Sequence, residues 1–387
     1  KQEMIKSARA DFKPKLSAGG NFNYTGNPLE LSIDLPSMSS PLYFQGKDLK
    51  YGATLSLSQP IYTGGGIRAN YQKARKEKEL ASNESNRIKS NTLHDADIYY
   101  WNAVAQHELV FVAQAFRTSI QQLVDVVHHR VEVEYIDRND LLMAEVKLND
   151  ADFQLLQTRD NAEIARLALN SFAGVNPSDT LPIDHSVIAL KQFIPLSDAI
   201  DNAITSRPEY RIAQNKIELQ ESSRKIADAR FLPQFHIGVD GSYSSPGYNF
   251  KSDLDPNYAI YAKLSIPLFE WGKRKSTRNA SSYAINMAQQ NLSKAQDKIR
   301  LEIQTAHYNY KQAIDKVKLT ESSLSKASES EQMAMERYKE GNVSIVEVIN
   351  AQLYHQQAQV NYIQSKLNAQ MAKTDFERAI YYLREKE

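Results

Sequence analysis

Apolar residues along this chain follow two different periods. In two windows they occupy every second position. Leu16, Ala18, Gly20, Phe22 and Tyr24 alternate with Lys15, Ser17, Gly19, Asn21 and Asn23, and Tyr51, Ala53, Leu55 and Leu57 alternate with Gly52, Thr54, Ser56 and Ser58. Further on, Phe235, Ile237 and Val239 alternate in one run. In the partner run Tyr258, Ile260, Ala262, Leu264 and Ile266 stand against Ala259, Tyr261, Lys263 and Ser265. A strand sends successive side chains to opposite faces, so these windows predict β-hairpins with one apolar and one polar face, over about 14–61 and 233–268. Elsewhere the spacing changes to alternating steps of three and four. Ile299, Ile303, Ala306, Tyr310, Ala313 and Val317 form one such seam, and Val346, Ile349, Leu353, Gln356, Val360, Ile363 and Leu367 another. That spacing predicts helices packed as coiled coils.

The helix breakers agree with this division. From Ile67 to Ala173 there is neither Gly nor Pro, and from Lys273 to the end there is only Gly341. Twelve of the 14 glycines lie in the windows Gly19–Gly66 and Gly238–Gly272. Proline deletes a helical hydrogen bond and glycine costs about 1 kcal/mol inside a helix, so only the breaker-free tracts suit long helices. The stretch from Arg68 to Glu132 alone predicts a helix roughly 95 Å long at 1.5 Å per residue.

The architecture is expected twice. Leu57, Pro60, Tyr62 and Gly65 correspond to Leu264, Pro267, Phe269 and Gly272 at one constant offset, which continues to Arg130 and Arg337, Ala144 and Ala351, and Ala151 and Ala358. A first repeat over 1–173, with a helical hairpin at about 67–173, and a second over 231–387, with a helical hairpin at about 273–385, flank a connecting region at 174–230. In that region Ser206-Arg207-Pro208-Glu209 reads as a capping box opening a helix to about Arg230. The stub before Phe12, with no signal-like apolar core ahead of it, is expected to be the end of a longer segment. Four strands do not close a barrel, and open strand edges are not tolerated in lipid, so self-association is expected.

Composition narrows the classes. Lys and Arg number 47 against 46 Asp and Glu, without the basic excess of a phosphate-tracking protein, so no nucleic-acid partner is expected. The absence of cysteine excludes disulfides, thiolate nucleophiles and Cys-bound metals in this stretch. No run of 18 apolar residues occurs, so contact with a membrane must come through strands. No nucleophile–base pair or metal cluster falls at a plausible site; neither an enzyme, a cofactor nor a metal is expected. His128-His129 point about 100° apart on a helix and make a poor chelating pair. Gly64-Gly65-Gly66 lacks the Lys-Ser/Thr of a phosphate loop and reads as a hinge. Tyr24, Tyr43, Tyr51, Tyr243, Tyr248 and Tyr258 stand where membrane-interface aromatics are expected.

The runs Ser58-Gln59-Pro60-Ile61-Tyr62-Thr63-Gly64-Gly65-Gly66, Ser265-Ile266-Pro267-Leu268-Phe269-Glu270-Trp271-Gly272, Ser206-Arg207-Pro208-Glu209-Tyr210 and Gly341-Asn342-Val343-Ser344-Ile345-Val346-Glu347-Val348-Ile349-Asn350-Ala351 together make the chain resemble the TolC family of outer-membrane efflux proteins. The resemblance implies a mixed α and β membrane protein: a homotrimer with a twelve-stranded β-barrel, four strands from each chain, continuing into an α-helical periplasmic tunnel. It implies an outer-membrane exit duct, embedded in outer-membrane lipid and working with a periplasmic adaptor and an inner-membrane transporter. Protein secretion through the same tube, or a soluble coiled-coil scaffold, are the alternatives. By the same resemblance the turns at 130–141 and 337–347 form the periplasmic tip. Asp140, Tyr338, Glu347 and Asn350 then fall at the gate and selectivity positions, and a Tyr338–Asp140 hydrogen bond is expected to join neighbouring helical hairpins. Glu134, Gly341, Asn342, Val343 and Ser344 fall at the adaptor-docking tip, with Val343 where the best-known member has an arginine. Pro60, Gly65, Pro267 and Gly272 mark the strand-to-helix hinges.

Overall fold

The computed structural model describes residues 1–34, 36–37, 39–190, 200–247 and 253–381. Their elements run in the order α1 (Gln2–Ala10), β1 (Lys15–Tyr24), β2 (Glu30–Ile33), β3 (Leu42–Gln45), β4 (Leu49–Thr63), α2 (Gly66–Glu132), α3 (Arg138–Ala173), α4 (Ile200–Ser206), α5 (Pro208–Ala229), β5 (Gln234–Ser245), β6 (Asp255–Ser265), α6 (Lys273–Lys339) and α7 (Ile345–Ala379). No helix among the described residues is long and apolar enough to cross a membrane. Tyr248 lies outside the described residues.

The chain divides into two compact units, Lys1–Asn83 with Ile212–Ser293, and Glu84–Arg211 with Lys294–Glu387. Each unit draws on both halves of the sequence. The first contains an antiparallel sheet of four strands in the order β1-β4-β5-β6. Its register is the one the alternation requires. Leu16 faces Leu57, Ala18 faces Leu55 and Phe22 faces Tyr51. Leu57 faces Val239, and Val239 faces Ile260. All the alternating apolar positions therefore share one face, and that face is bare: Phe22 is 74% exposed, Tyr258 75% and Ile260 77%. On the opposite, polar face the ring of Tyr261 crosses Gly238, where a Cβ would come within 2.5 Å of the phenol. Strands β1 and β6 each have a partner on one side only. The first long loop holds a further small hairpin, β2–β3, pairing Leu31 with Phe44 and Ile33 with Leu42; the sequence pattern does not predict it. Around the sheet, Phe12 packs edge-on against Tyr71. Lys76 bridges Glu218 at 3.0 Å, and Asn83 donates to Asn215 at 2.8 Å.

The second unit is helical. Every residue of the expected α6 seam, from Ile299 to Val317, is buried. Tyr310 stacks on Phe376 of α7 at 5.9 Å. Burying Leu-, Ile- or Phe-sized side chains contributes about 1.5–3 kcal/mol each, which is what turns weakly biased helices into a bundle. The α7 seam differs from expectation. Val346 is exposed, and Ile345 and Val348 point inward to join Leu123 and Val127 of α2, Ala144 of α3 and Tyr338 of α6. Higher up α7, Ile363 and Leu367 pack on Val104 and Ala105 of α2. Thus α7 buries two flanks rather than the single stripe of a two-stranded coil. Polar contacts fix the register between helices. Gln352 donates to Ser119 Oγ at 2.8 Å, Ser119 to Glu331 at 2.9 Å, and His355 bonds Glu331. Lys366 reaches Glu108 at 2.6 Å, nearly shielded from water. Ser206 ends α4, and Glu209 turns to the guanidinium of Arg207 at 3.0 Å. Arg207 in turn meets Glu302 at 3.2 Å and donates to the Ala379 carbonyl at 3.0 Å.

Candidate functional site

Two turns of the helical unit carry most of the residues singled out in the sequence, and they are built alike. Helix α2 ends with Tyr135 N–H bonded to the Arg130 carbonyl at 2.9 Å and Glu134 N–H to the Val131 carbonyl at 3.0 Å. Helix α6 ends with Asn342 N–H on the Arg337 carbonyl and Gly341 N–H on the Tyr338 carbonyl, both at 2.9 Å. These are paired six-to-one and five-to-two bonds, which satisfy the last helical carbonyls and require a left-handed residue just past the helix. Gly341 takes that position at φ 83°, and Glu134 takes it at φ 57° despite its Cβ. The next helices then start. Asp137 caps α3 by accepting from Asn139 N–H at 2.8 Å, whereas Ser344 precedes α7 with no side-chain cap bond.

The helix starts decide where the candidate gate residues go. Glu347 and Asn350 both lie on the exposed face of α7, one turn apart, away from buried Ile345, Val348 and Ile349. Glu347 sits in the first turn, where the helix dipole favours a carboxylate. Asp140 is half-buried in the first turn of α3. Val343 packs against the cluster of Leu123, Val127 and Tyr338, while Gly341, Asn342 and Ser344 are exposed. Asn342 donates to Glu340 at 2.9 Å.

Tyr338 is 3% exposed. Its hydroxyl has no hydrogen-bond partner among the described residues, so the expected bond to Asp140 is not made within one chain. Burial pushes the phenol up from its usual value, Arg130 draws it down and the Asp140 carboxylate adds to the rise. What Tyr338 does have is a cation on its ring. The Arg130 guanidinium lies 4.7 Å from its centroid and 5.5 Å from that of Tyr135. The sequence pattern marks Arg130 only through the internal offset. The signal that could find it is a cation in the last turn of a helix, a few residues ahead of an aromatic in the turn.

The hinge residues divide by half. Pro60 lies inside β4, a strand with partners on both sides, and it is tolerated because the register shifts between Pro60 and Tyr62. Gly64 and Gly65 turn left-handed before α2. A Cβ at Gly64 would meet the Ala229 carbonyl at 2.6 Å, so glycine is required there. Pro267 follows β6, and Trp271 and Gly272 turn left-handed before α6. Trp271 is 90% exposed and packs edge-on against Phe269 at 5.0 Å. His128 and His129 pair with Glu132 at 3.5 and 3.7 Å, and no metal-holding group of three His or carboxylate residues occurs among the described residues.

A face of apolar strands with no covering layer, backed by a polar face, defines a membrane-strand protein, and its long packed helices make it a composite of sheet and coiled coil. The sequence profile of the outer membrane efflux protein family matches residues 1–175 and 199–380. The chain belongs to that family. Proteins of this family are outer-membrane channels of Gram-negative bacteria. The outer membrane efflux protein BepC of Brucella suis biovar 1 (strain 1330) is 21% identical over 302 residues, 77% of this chain and 65% of that relative, so the match spans just under two thirds of the relative's length. Among solved structures, CusC is similar at a TM-score of 0.82 and 16% identity, over 98% of this chain and 86% of that one. The Campylobacter jejuni CmeC outer membrane channel is similar at 0.77 and 18%, over 98% and 80%.

Proposed function

We propose that three copies of this chain form a passive outer-membrane exit duct of a tripartite efflux system. In it the strands close a twelve-stranded barrel, the helices continue as a periplasmic tunnel, and small molecules arrive from an inner-membrane transporter through a periplasmic adaptor. The observation that carries this is the sheet itself, with an uncovered apolar face and two open edges, β1 and β6. Open edges are not tolerated in lipid, and further copies pairing edge to edge close them. The helical unit supports the same reading. Leu142, Val146, Phe153, Leu156 and Ile164 of α3 are 50–67% exposed at helical spacing, a seam suited to a neighbouring copy. The equal lengths of α2 and α6, 67 residues each, support a tandem repeat with boundaries at 1–173 and 231–387.

In this assembly the loops at about 26–48 and 244–257 face outside and the turns at 130–140 and 338–346 face the periplasm. Glu347 places three carboxylates around the entrance, with Asn350 beside them and Asp140 and Tyr338 behind. Carboxylates held close in a narrow mouth focus potential and favour cations. Glu134, Gly341, Asn342, Val343 and Ser344 form the surface that meets the adaptor, and Pro60, Gly65, Pro267 and Gly272 turn the chain from barrel to tunnel. The test is mass measurement in mild detergent followed by conductance in planar bilayers. A trimer whose cation preference falls on Glu347→Gln is expected. A folded monomer, or a trimer whose selectivity ignores Glu347→Gln, overturns the assembly or the gate respectively.

A further inference from the structure

The geometry points to Arg130 as the clasp that holds the two helical-hairpin tips of one protomer together and thereby sets the closed-to-open balance of the entrance. This rests on the gate reading above and adds a residue that the sequence resemblance does not supply. Arg130 is the last-turn cation of α2, yet most of what it touches belongs elsewhere. Its Nη2 donates to the Lys339 carbonyl at 2.7 Å, at the C-terminus of α6, where a cation is favoured by the helix dipole. Its guanidinium faces two rings: Tyr338 of α6 at 4.7 Å, and Tyr135 of its own turn at 5.5 Å. The two turns also meet through Tyr135, whose hydroxyl stands 3.1 Å from where a Cβ on Gly341 would be. Among the described residues Arg130 has no carboxylate partner, so its charge is committed to the rings and the carbonyl.

The internal offset shows that this is specific to one arginine. Arg337, the counterpart of Arg130, is exposed, and among the described residues its side chain has no partner. The counterpart of Tyr338 is Val131, and that of Tyr135 is Asn342. One tip supplies the cation and a ring, and the other supplies a ring and a helix-end carbonyl. Separating the tips strips the guanidinium of one ring and the carbonyl at once. Arg130 is a positioning residue: it holds Tyr338 and the 339–344 turn, while the carboxylate that faces the permeating ion is on Glu347. The contact uses the face of the Tyr338 ring.

The experiment is single-channel recording of the full chain in planar bilayers, with melting temperature measured in the same detergent. Losing a charge-assisted hydrogen bond and cation–π contact shifts a two-state balance by about tenfold. Arg130→Gln should raise the open probability by about that factor with little change in melting temperature. Tyr338→Leu should raise it too, at a cost in melting temperature because Tyr338 is buried, and Arg130→Lys should fall between. If Arg130→Gln does not yield trimers, Arg130→Lys, which keeps the charge but not the planar fork, carries the test with a smaller rise expected. If Glu347→Gln alters selectivity while Arg130→Gln and Arg130→Lys gate like the parent, the clasp is wrong and the gate reading stands. If Glu347→Gln is also silent, the gate is elsewhere and the clasp inference falls with it.

Discussion

The twin helix ends allow a test in which the same backbone motif must respond with opposite signs. Glu134 and Gly341 occupy equivalent left-handed positions, at φ 57° and 83°. A residue with a Cβ in that region is strained by about 1–2 kcal/mol. Glu134→Gly removes the strain but gives the unfolded chain extra freedom worth about 0.4–1 kcal/mol. The net expectation is a gain of about 0.5–1 kcal/mol. Gly341→Ala runs the other way. It introduces the strain, and its Cβ would stand 3.1 Å from the Tyr135 hydroxyl, which must shift. After the same entropy correction the expected loss is about 0.5–1.5 kcal/mol. For a cooperative unit of this size each kcal/mol moves the midpoint by about 2–4 °C. Melting followed by far-UV circular dichroism in one detergent should therefore show Glu134→Gly rising by about 1–4 °C and Gly341→Ala falling by about 1–6 °C. Shifts of the same sign, or a fall for Glu134→Gly, would refute the view that backbone strain dominates at these turns. Side-chain contacts of Glu134 would then have to be the larger effect.

Two ionic sites give further expectations. The Asp375 carboxylate, 2.7 Å from His94 Nε2, raises His94 above its usual 6.5 against the opposing effect of burial, with Asp95 adding to the rise. A raised histidine stabilises the fold fully below its unfolded value and loses that contribution as pH climbs through the folded one. Stability should therefore fall from pH 6 to pH 8, by less than about 1 kcal/mol because Asp375 is half exposed, and Asp375→Asn should flatten the profile. At Arg207, burial opposes the charge on Glu209, but the guanidinium outweighs it and holds that carboxyl below its usual range. Arg207→Met should cost about 2–3 kcal/mol by chemical denaturation, somewhat under the range for fully buried pairs, because both carboxylates keep contact with water. Stability from Glu209 is present above its ordinary value of 4.5 and lost as pH falls through the depressed one, so the gap between parent and variant should narrow in acid.

The sheet is readable in the sequence because period two leaves little freedom. Once Leu16 and Leu57 share a face, Val239 and Ile260 must join them, and the observed register places them there. The long helices are readable from missing breakers, and α2 runs to Glu132 as expected. Three features are not readable, for physical reasons. The β2–β3 hairpin rests on cross-strand pairs within a loop whose composition signals only turns. The inward turn of Ile345 in place of Val346 depends on how the 340–344 turn launches α7, and a heptad count does not carry that phase. The role of Arg207 is not visible in its local run, because Glu302 and the Ala379 carbonyl reach it from distant positions. At the candidate gate, residue types mark the place, but the Tyr338 environment needs coordinates. A tyrosine that offers its ring to a cation and one that offers its hydroxyl to a hydrogen bond look the same in a sequence.

The one-sided sheet also bears on how this protein reaches its membrane. A chain bound for the outer membrane must first be threaded through the inner one, where about 20 consecutive apolar residues would halt as a helix. Here the apolar surface is collected from every second residue of four separated strands, and the intervening positions are mostly polar or small. No single stretch presents that surface to the translocation machinery. It comes into being only when β1, β4, β5 and β6 lie side by side, so within these strands the apolar surface is a product of folding rather than of any one segment.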